Sequence, residues 1–324
     1  MFSFLGLFLG IALLIGGGTL LVRGATEVAT RLGVSPMIVG LVIVGFGTSA
    51  PELMINVVGA LRGETDIAFG NVIGSNISNL ALVLGAAALI APLYIQGQLV
   101  RREVPLLLLA TCIITVMVLD VPLEGLPAMI GRSEGIILLS LFCIFIYINV
   151  LDHVALQQAD PLIENIEHNP LIATDPHSRF RWLFVLGGIV LLMVGGEVTV
   201  KSGVAIATSL GVPTTIVGLF MVAVGTSMPE LVTSVVAALR GQSDLALGNV
   251  VGSNIFNSLI VLPASSVIAQ IPLPPGGVTD LLVSVALTAL LIPIFILGEA
   301  RLGRRTGSFL LLFYIVYAVA RISA

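Results

Sequence analysis

The sequence predicts an all-α polytopic membrane protein whose ten transmembrane helices form two inverted five-helix repeats. Three observations lead to this prediction: an excess of apolar residues, a regular succession of apolar segments, and one motif that occurs twice. Of the 324 residues, 57% are hydrophobic and only 10% are charged, whereas a soluble domain carries about 25% charged residues. A water-soluble surface of this size needs more charge than this chain supplies, so the composition excludes the soluble classes.

Apolar runs between polar or turn-rich breaks give ten candidate helices, each near the roughly 20 residues that cross a bilayer. In chain order they cover residues 2–30, 35–61, 67–91, 101–119, 133–151, 180–209, 213–239, 245–270, 279–298 and 306–322. One long polar stretch separates the fifth helix from the sixth. The predicted units are a first repeat over 1–151, a cytoplasmic linker over 152–179 and a second, inverted repeat over 180–324.

One motif occurs once in each half of the chain, at a spacing of 178 residues. GTSAPEL begins at Gly47 and GTSMPEL begins at Gly225, and the same spacing aligns GNVIGSNISN with GNVVGSNIFN. Between Gly47 and Asn79, 22 of 33 positions are identical to their counterparts. Because each repeat has an odd number of helices, the second repeat begins on the other side of the membrane. Inverted repeats with a site at their interface are a recurrent plan of transporters.

The basic residues predict the orientation of the chain. Ten of the 14 Lys and Arg residues lie in one set of alternate loops, and loops rich in these residues are usually cytoplasmic. We therefore expect a plasma (inner) membrane protein with both termini outside and the linker inside. The net charge of −4 is dispersed between apolar runs, which offers no basic patch for nucleic acid. The lipid bilayer is the expected environment, and no obligatory protein partner is implied.

Two carboxylates lie near the middle of predicted membrane spans. Glu52 and Glu230 occupy equivalent positions in the second and seventh spans, and an ionisable group at such a depth is costly, by about 2.5–3.5 kcal/mol on insertion scales. Residues three and four positions apart share a helix face. Two hydroxyl residues therefore share the face of each glutamate: Thr48 and Ser49, Thr226 and Ser227.

Further oxygen donors accompany each glutamate. Pro51 and Pro229 interrupt the two spans and deprive a preceding carbonyl of its usual helical partner. The third and eighth spans add hydroxyl and amide pairs at helical spacing: Ser75 with Asn79, and Ser253 with Asn257. Carboxylate, carbonyl, hydroxyl and amide oxygens, without thiol or imidazole, are the ligands of hard cations.

A structural interpretation competes for each of these residues. A single hydroxyl in a membrane helix usually bonds its own backbone, and a single amide often joins two helices. The duplication of the whole set around two carboxylates argues against that interpretation here. Glu197 is different, because Lys201 follows it at i+4 and predicts a structural ion pair.

The paired GTSxPE and GNxxGSNxxN segments resemble the α-repeats of the calcium/cation antiporter superfamily, in particular the prokaryotic sodium/calcium exchangers. The resemblance covers essentially the whole chain. It implies an alternating-access antiporter in which Na⁺ inflow drives Ca²⁺ extrusion through clustered cation sites. Ca²⁺ and Na⁺ would be transported substrates, and no cofactor is implied.

The resemblance also implies a role for each matching residue. Glu52 and Glu230 would be the central ligands, shared by calcium and sodium. The remaining ligands would be Thr48 and Thr226 at the calcium site, Ser49 with Ser253 and Ser75 with Ser227 at flanking sodium sites, the carbonyls of Gly45 and Ala223 completing those sites, and Asn79 and Asn257 in the middle of the cluster.

Several alternatives remain open at this point. The antiporter could be coupled to H⁺ or K⁺ instead of Na⁺, and a cation channel could also use clustered oxygens. Potassium coupling is disfavoured because potassium-dependent relatives carry an acid where this chain has Asn257. An enzyme is not expected, because the chain has neither an H-E-x-x-H nor a G-x-S-x-G motif.

The inverted topology predicts opposite sidedness for equivalent loop positions. Single cysteines introduced by Arg62→Cys and Arg240→Cys should react with a membrane-impermeant thiol reagent from outside and from inside, respectively. The measurement is labelling in intact cells compared with inverted vesicles. Labelling of both positions from the same side would contradict the inverted arrangement.

Overall fold

The computed structural model describes residues 2–119, 128–159, 178–210, 225–297 and 300–323. Eleven helices occur in these ranges: α1 (Phe2–Leu32), α2 (Pro36–Thr48), α3 (Ala50–Arg62), α4 (Asp66–Ile90), α5 (Val104–Met117), α6 (Arg132–Ala159), α7 (Ser178–Ser209), α8 (Met228–Leu239), α9 (Ser243–Ile268), α10 (Gly277–Leu297) and α11 (Arg304–Ser323). The prediction of an all-helical membrane protein is confirmed.

Each of the ten predicted spans contains a helix, although not every helix is long. Within the described ranges, six helices are long and apolar enough to cross a membrane, and a bent pair, α2 with α3, makes a seventh span if counted as one. Only the second part of the predicted seventh span is described, as α8, because residues 211–224 fall outside those ranges. Helix α6 continues to Ala159 and α7 begins at Ser178, so both helices extend into the predicted linker.

Helices α4 and α9 form the centre of the structure. Most of α4 and nearly all of α9 are buried, and α9 packs against α2 and α8. By contrast, α1, α6, α7 and α11 expose large apolar side chains, such as Phe8, Ile136, Leu186 and Leu312. Exposed apolar surface on this scale indicates contact with lipid, so the peripheral helices face the bilayer and enclose the polar centre.

Two short strand pairs join the two halves of the chain. Strand β1 (Leu93–Tyr94) pairs antiparallel with β4 (Arg301–Leu302), and β2 (Met129–Ile130) pairs antiparallel with β3 (Ile271–Pro272). Strands β1 and β3 are separated by the same 178 residues as the repeated motif. Each half contributes one strand to each of the two pairs.

Glycines allow α1 and α7 to pack closely along their lengths. A Cβ atom on Gly188 would lie 2.6 Å from the Leu21 backbone nitrogen, and one on Gly17 would lie 2.8 Å from the Leu192 backbone nitrogen. Such distances leave no room for a side chain. Small residues at membrane helix interfaces allow this close backbone contact.

The close packing of α1 and α7 generates a stability prediction with an adjacent control. Gly188→Val should destabilise the protein by about 1–3 kcal/mol because the new side chain forces two backbones apart. Gly187→Val should have little effect, since no atom lies within 4 Å of a Cβ at that position. The measurement is the midpoint of thermal unfolding in detergent; equal midpoints for the two variants would contradict the packing.

Candidate functional site

A serine in each repeated motif has backbone angles outside the α-helical range. Helices α2 and α3 meet at 44°, and Ser49 between them has φ −87° and ψ 7°. Ser227 precedes α8 with nearly the same angles, φ −83° and ψ 4°. A proline follows within the first turn of each new helix, where its missing N–H removes no helical hydrogen bond. Glu52 and Glu230 therefore lie in the first turns of α3 and α8.

The two glutamates meet in the interior of the protein. Both are completely buried, and Ser49, three residues before Glu52, contacts Glu230. The Ser49 hydroxyl donates to Glu230 Oε1 at 3.0 Å. The hydroxyls of Ser75 and Thr226 lie next to the Glu52 carboxylate, although neither makes a hydrogen bond of conventional geometry with it. Each carboxylate therefore faces a hydroxyl from the other half of the chain.

Serines of the central helices extend this cluster. Ser253 Oγ of α9 lies 3.2 Å from Thr48 Oγ1 and donates to the Gly45 carbonyl at 3.3 Å. In the other half, Ser75 Oγ of α4 lies 3.2 Å from Thr226 Oγ1. The two hydroxyl pairs occupy equivalent repeat positions, and each joins one half of the chain to the other.

A π-helical turn begins at each predicted asparagine, over Asn79–Val83 in α4 and Asn257–Val261 in α9. Isolated π turns inside α-helices occur frequently at functional sites. The Asn79 side-chain amide donates to Asn254 Oδ1 at 3.0 Å. Asn257 is completely buried, and its amide atoms have no hydrogen-bond partner among the described residues.

Most of the twelve predicted ligands come together, although the contacts differ. Ala223 lies outside the described residues. Direct hydrogen bonds join predicted ligands in three separate groups: Ser49 with Glu230, Ser75 with Thr226, and Ser253 with Thr48 and the Gly45 carbonyl. Glu52 lies beside the hydroxyls of Ser75 and Thr226. Asn79, Asn257 and Ser227 are buried, but within the described part of the chain they form no side-chain hydrogen bond to another predicted ligand.

The cluster is not symmetric, although the motifs that form it are nearly identical. Ser49 donates to Glu230, whereas its counterpart Ser227 has a buried hydroxyl without a partner in the described ranges. One carboxylate is thus held by a hydrogen bond from the other half, and the other carboxylate is not.

Sequence reasoning assigned no role to a second set of buried amides behind the cluster. Asn76 donates to Ser258 Oγ at 2.9 Å, and Asn254 donates to the Asn76 carbonyl at 3.1 Å. Asn249 bonds residues of both halves. The asparagines of the repeated GNxxGSN segment could have indicated these hydrogen bonds, because buried amides need partners. The sequence does not reveal which partners they find.

The site offers only oxygen donors of the kind that hard cations prefer. In the described ranges, no group of three or more His, Cys, Asp or Glu residues could hold a metal ion. Two carboxylates supply the charge, and hydroxyls, amides and carbonyls supply the remaining oxygens. Glu197 lies elsewhere, on an exposed surface, where it pairs with Lys201 at 2.6 Å, as predicted.

A polytopic helical protein with buried carboxylates and hydroxyls at the meeting point of two repeated motifs has the plan of an ion-transporting membrane protein. The chain belongs to the sodium/calcium exchanger protein family, whose model matches residues 2–151 and 180–323. This result confirms the resemblance to prokaryotic sodium/calcium exchangers.

Individual relatives match over nearly the whole length. CaxA of Alkalimonas amylolytica is 37% identical over 95% of both chains. The sodium/calcium exchanger MaX1 of Methanosarcina acetivorans is 30% identical over 98% of this chain and 97% of its own. A structure of the sodium-calcium exchanger NCX_Mj, soaked with zero Na⁺ and Ca²⁺, is similar with a TM-score of 0.82 at 28% identity, covering 98% of each chain.

Proposed function

We propose that this protein is a secondary active antiporter that exchanges Na⁺ for Ca²⁺ by alternating access. One observation carries the proposal: Glu52 and Glu230, from opposite halves of the chain, are completely buried and meet among hydroxyl oxygens. Membership of the sodium/calcium exchanger family supports the choice of ions. Neither observation calls for a catalytic role, and we propose no enzymatic activity.

The charge of the site gives a physical reason for exchange. Two ionised carboxylates neutralise one Ca²⁺ or two Na⁺ ions, so the loaded site is close to neutral. The empty site leaves two uncompensated charges in a low dielectric, which is costly. A conformational change that carries the empty site across the protein is disfavoured, and a change that carries bound cations is allowed.

The proposed ligands are the twelve residues predicted from the sequence. Glu52 and Glu230 are the central ligands for both ions. The hydroxyls, carbonyls and amides around them complete the sites: Thr48, Ser49, Ser75, Asn79, Thr226, Ser227, Ser253, Asn257, Gly45 and Ala223. Ser227 Oγ and Asn257 Oδ1 are buried without partners in the described ranges, and a cation would satisfy these two oxygens.

The same proposal includes the arrangement in the membrane. Ten spans form two inverted five-helix repeats, 1–151 and 180–324, joined by a cytoplasmic linker over 152–179. Both termini lie on the outer, non-cytoplasmic side of the plasma (inner) membrane. The basic residues of alternate loops support this orientation, and the strand pairs between the halves support a two-repeat plan.

The experiment is uptake of ⁴⁵Ca²⁺ into proteoliposomes loaded with Na⁺, K⁺ or H⁺ in turn. We expect uptake to depend on an outward Na⁺ gradient. Asn79 and Asn257 are neutral, so the cluster has no carboxylate beyond the two glutamates that could bind K⁺. Uptake driven equally by K⁺ or H⁺ would contradict the sodium coupling. Flux without any counter-ion, and without saturation, would indicate a channel.

The glutamates themselves are tested by charge removal. Glu52→Gln and Glu230→Gln should each reduce Na⁺-driven Ca²⁺ uptake by about 100-fold or more, because one negative charge does not compensate a buried divalent ion. Glu197→Gln is the matched control, since Glu197 is exposed and paired with Lys201; its uptake should equal the parent's. Near-normal uptake in either of the first two variants would refute their assignment.

Asn257 generates a separate prediction about selectivity. A carboxylate introduced by Asn257→Asp would lie in the same buried cluster as two glutamates, and like charges that share a site favour protonation or recruit another cation. Ca²⁺ uptake by this variant should therefore acquire a dependence on pH or K⁺ that the parent lacks. Identical pH and K⁺ profiles for variant and parent would show that Asn257 does not line the cluster.

A further inference from the structure

A completely buried amide, Asn249 of α9, joins the two halves of the chain beside the glutamate cluster. Its Oδ1 lies 3.0 Å from Thr48 Oγ1 of the first half. Its Nδ2 donates to Ser234 Oγ at 2.9 Å and to the Glu230 carbonyl at 3.3 Å, both on α8. Asn249 thereby fixes α8 to α9 and connects both helices to the bend that precedes α3.

The repeat counterpart of Asn249 makes none of these bonds. Asn71 of α4 is also buried, and the equivalent partners would be Thr226, Asn56 and the Glu52 carbonyl. All three are described, yet both amide atoms of Asn71 have no hydrogen-bond partner in this part of the structure. The amide atoms of Asn56 have none either. A buried amide without partners costs about 1–3 kcal/mol. A conformation in which Asn71 and Asn56 find partners would remove this cost.

The helix pairs that carry these asparagines differ in the same sense. We call the contact between α8 and α9 the second-half seam; there the Ser234 hydroxyl also reaches the Ala246 carbonyl at 3.5 Å. We call the contact between α3 and α4 the first-half seam. It contains a cavity of about 240 Å³, lined by Asn56 and Ala68 and extending to Arg62. One seam is bonded and the other contains an open space.

We propose that Asn249 and Asn71 are alternating hydrogen-bond locks of the two seams. In the conformation described here Asn249 locks the second-half seam and Asn71 is released. In the opposite conformation Asn71 bonds Asn56 and Thr226 and closes the first-half seam, while Asn249 releases Ser234. The inference rests on the inverted repeats of the proposed function, because such repeats exchange conformations when access alternates. Both asparagines are positioning residues, since they act through the segments that carry the glutamates.

Two matched reporters can follow the seams. Ala68 and Ala246 are buried alanines at equivalent repeat positions, one in each seam. Single cysteines are introduced by Ala68→Cys or Ala246→Cys in a background that carries Cys112→Ser and Cys143→Ser. The protein is placed in lipid nanodiscs, where both faces are accessible, and the rate of labelling by a small water-soluble thiol reagent is measured. A cysteine reacts as its thiolate, so the rate reports the opening of its seam to water.

The two lock variants should act in opposite directions. Asn249→Leu keeps the branching of the side chain but removes bonds made only in the present conformation. It should therefore raise labelling at Ala246→Cys relative to Ala68→Cys by about tenfold. Asn71→Leu should shift the same ratio the other way. The double variant should return the ratio towards that of the parent, because the two losses compensate.

A third variant keeps the test valid if Asn249→Leu does not fold. Ser234→Ala removes one partner of Asn249 and leaves the Thr48 contact intact, so it should shift the ratio in the direction of Asn249→Leu. A purely structural role would change stability without this reciprocal shift. The proposal is overturned if the Asn249 and Asn71 variants shift the ratio in the same direction, or if no variant shifts it.

Na⁺-driven Ca²⁺ uptake by the same cysteine variants, measured in proteoliposomes, separates the two proposals. A parent without Na⁺-driven Ca²⁺ uptake would refute the proposed exchange, while a reciprocal labelling shift would still support the locks. Normal uptake together with unchanged labelling ratios would refute the locks alone.

Discussion

The structure depends on keeping two carboxylates inside a membrane protein where water is excluded. A buried charge without compensation costs several kcal/mol, and Glu52 and Glu230 are both completely buried. Hydroxyls from the opposite half lie beside each carboxylate, and Ser49 donates directly to Glu230. These groups reduce the cost but bring no positive charge. A site of this kind is completed by cations, and the need for charge compensation explains why the proposed transport is an exchange.

The same requirement explains the irregular backbone at the centre. A straight helix satisfies its own carbonyls and presents them to nothing else. Here the chain bends at Ser49, leaves α-helical geometry at Ser227, and contains π turns that begin at Asn79 and Asn257. The regular lipid-facing helices and the two strand pairs between the halves surround these irregular segments. These irregular segments lie in the polar centre, where other groups can satisfy their backbone.

The two halves share a sequence motif but not one set of contacts. Asn249 bonds three groups, whereas Asn71 bonds none of the equivalent groups. Ser49 and Ser227 differ in the same way. Alternating access requires such an asymmetry, because exchanging the conformations of two inverted repeats gives a second state that faces the other side. If more than two Na⁺ ions exchange for one Ca²⁺, the membrane potential adds about 2.3 kcal/mol per charge per 100 mV.

The sequence by itself determined where the helices lie, which positions repeat, and which residues place charge at membrane depth. These properties depend on apolar length and local spacing, so all ten predicted segments contain helix and the glutamates occupy equivalent turns. Only the tertiary structure decided which hydroxyl meets which carboxylate, as in the bond from Ser49 to Glu230. It also decided that Asn249, and not the identical Asn71, finds its partners. The bond from Ser49 to Glu230 joins residues 181 positions apart, and it depends on how the two halves pack, which the repeated motif does not encode.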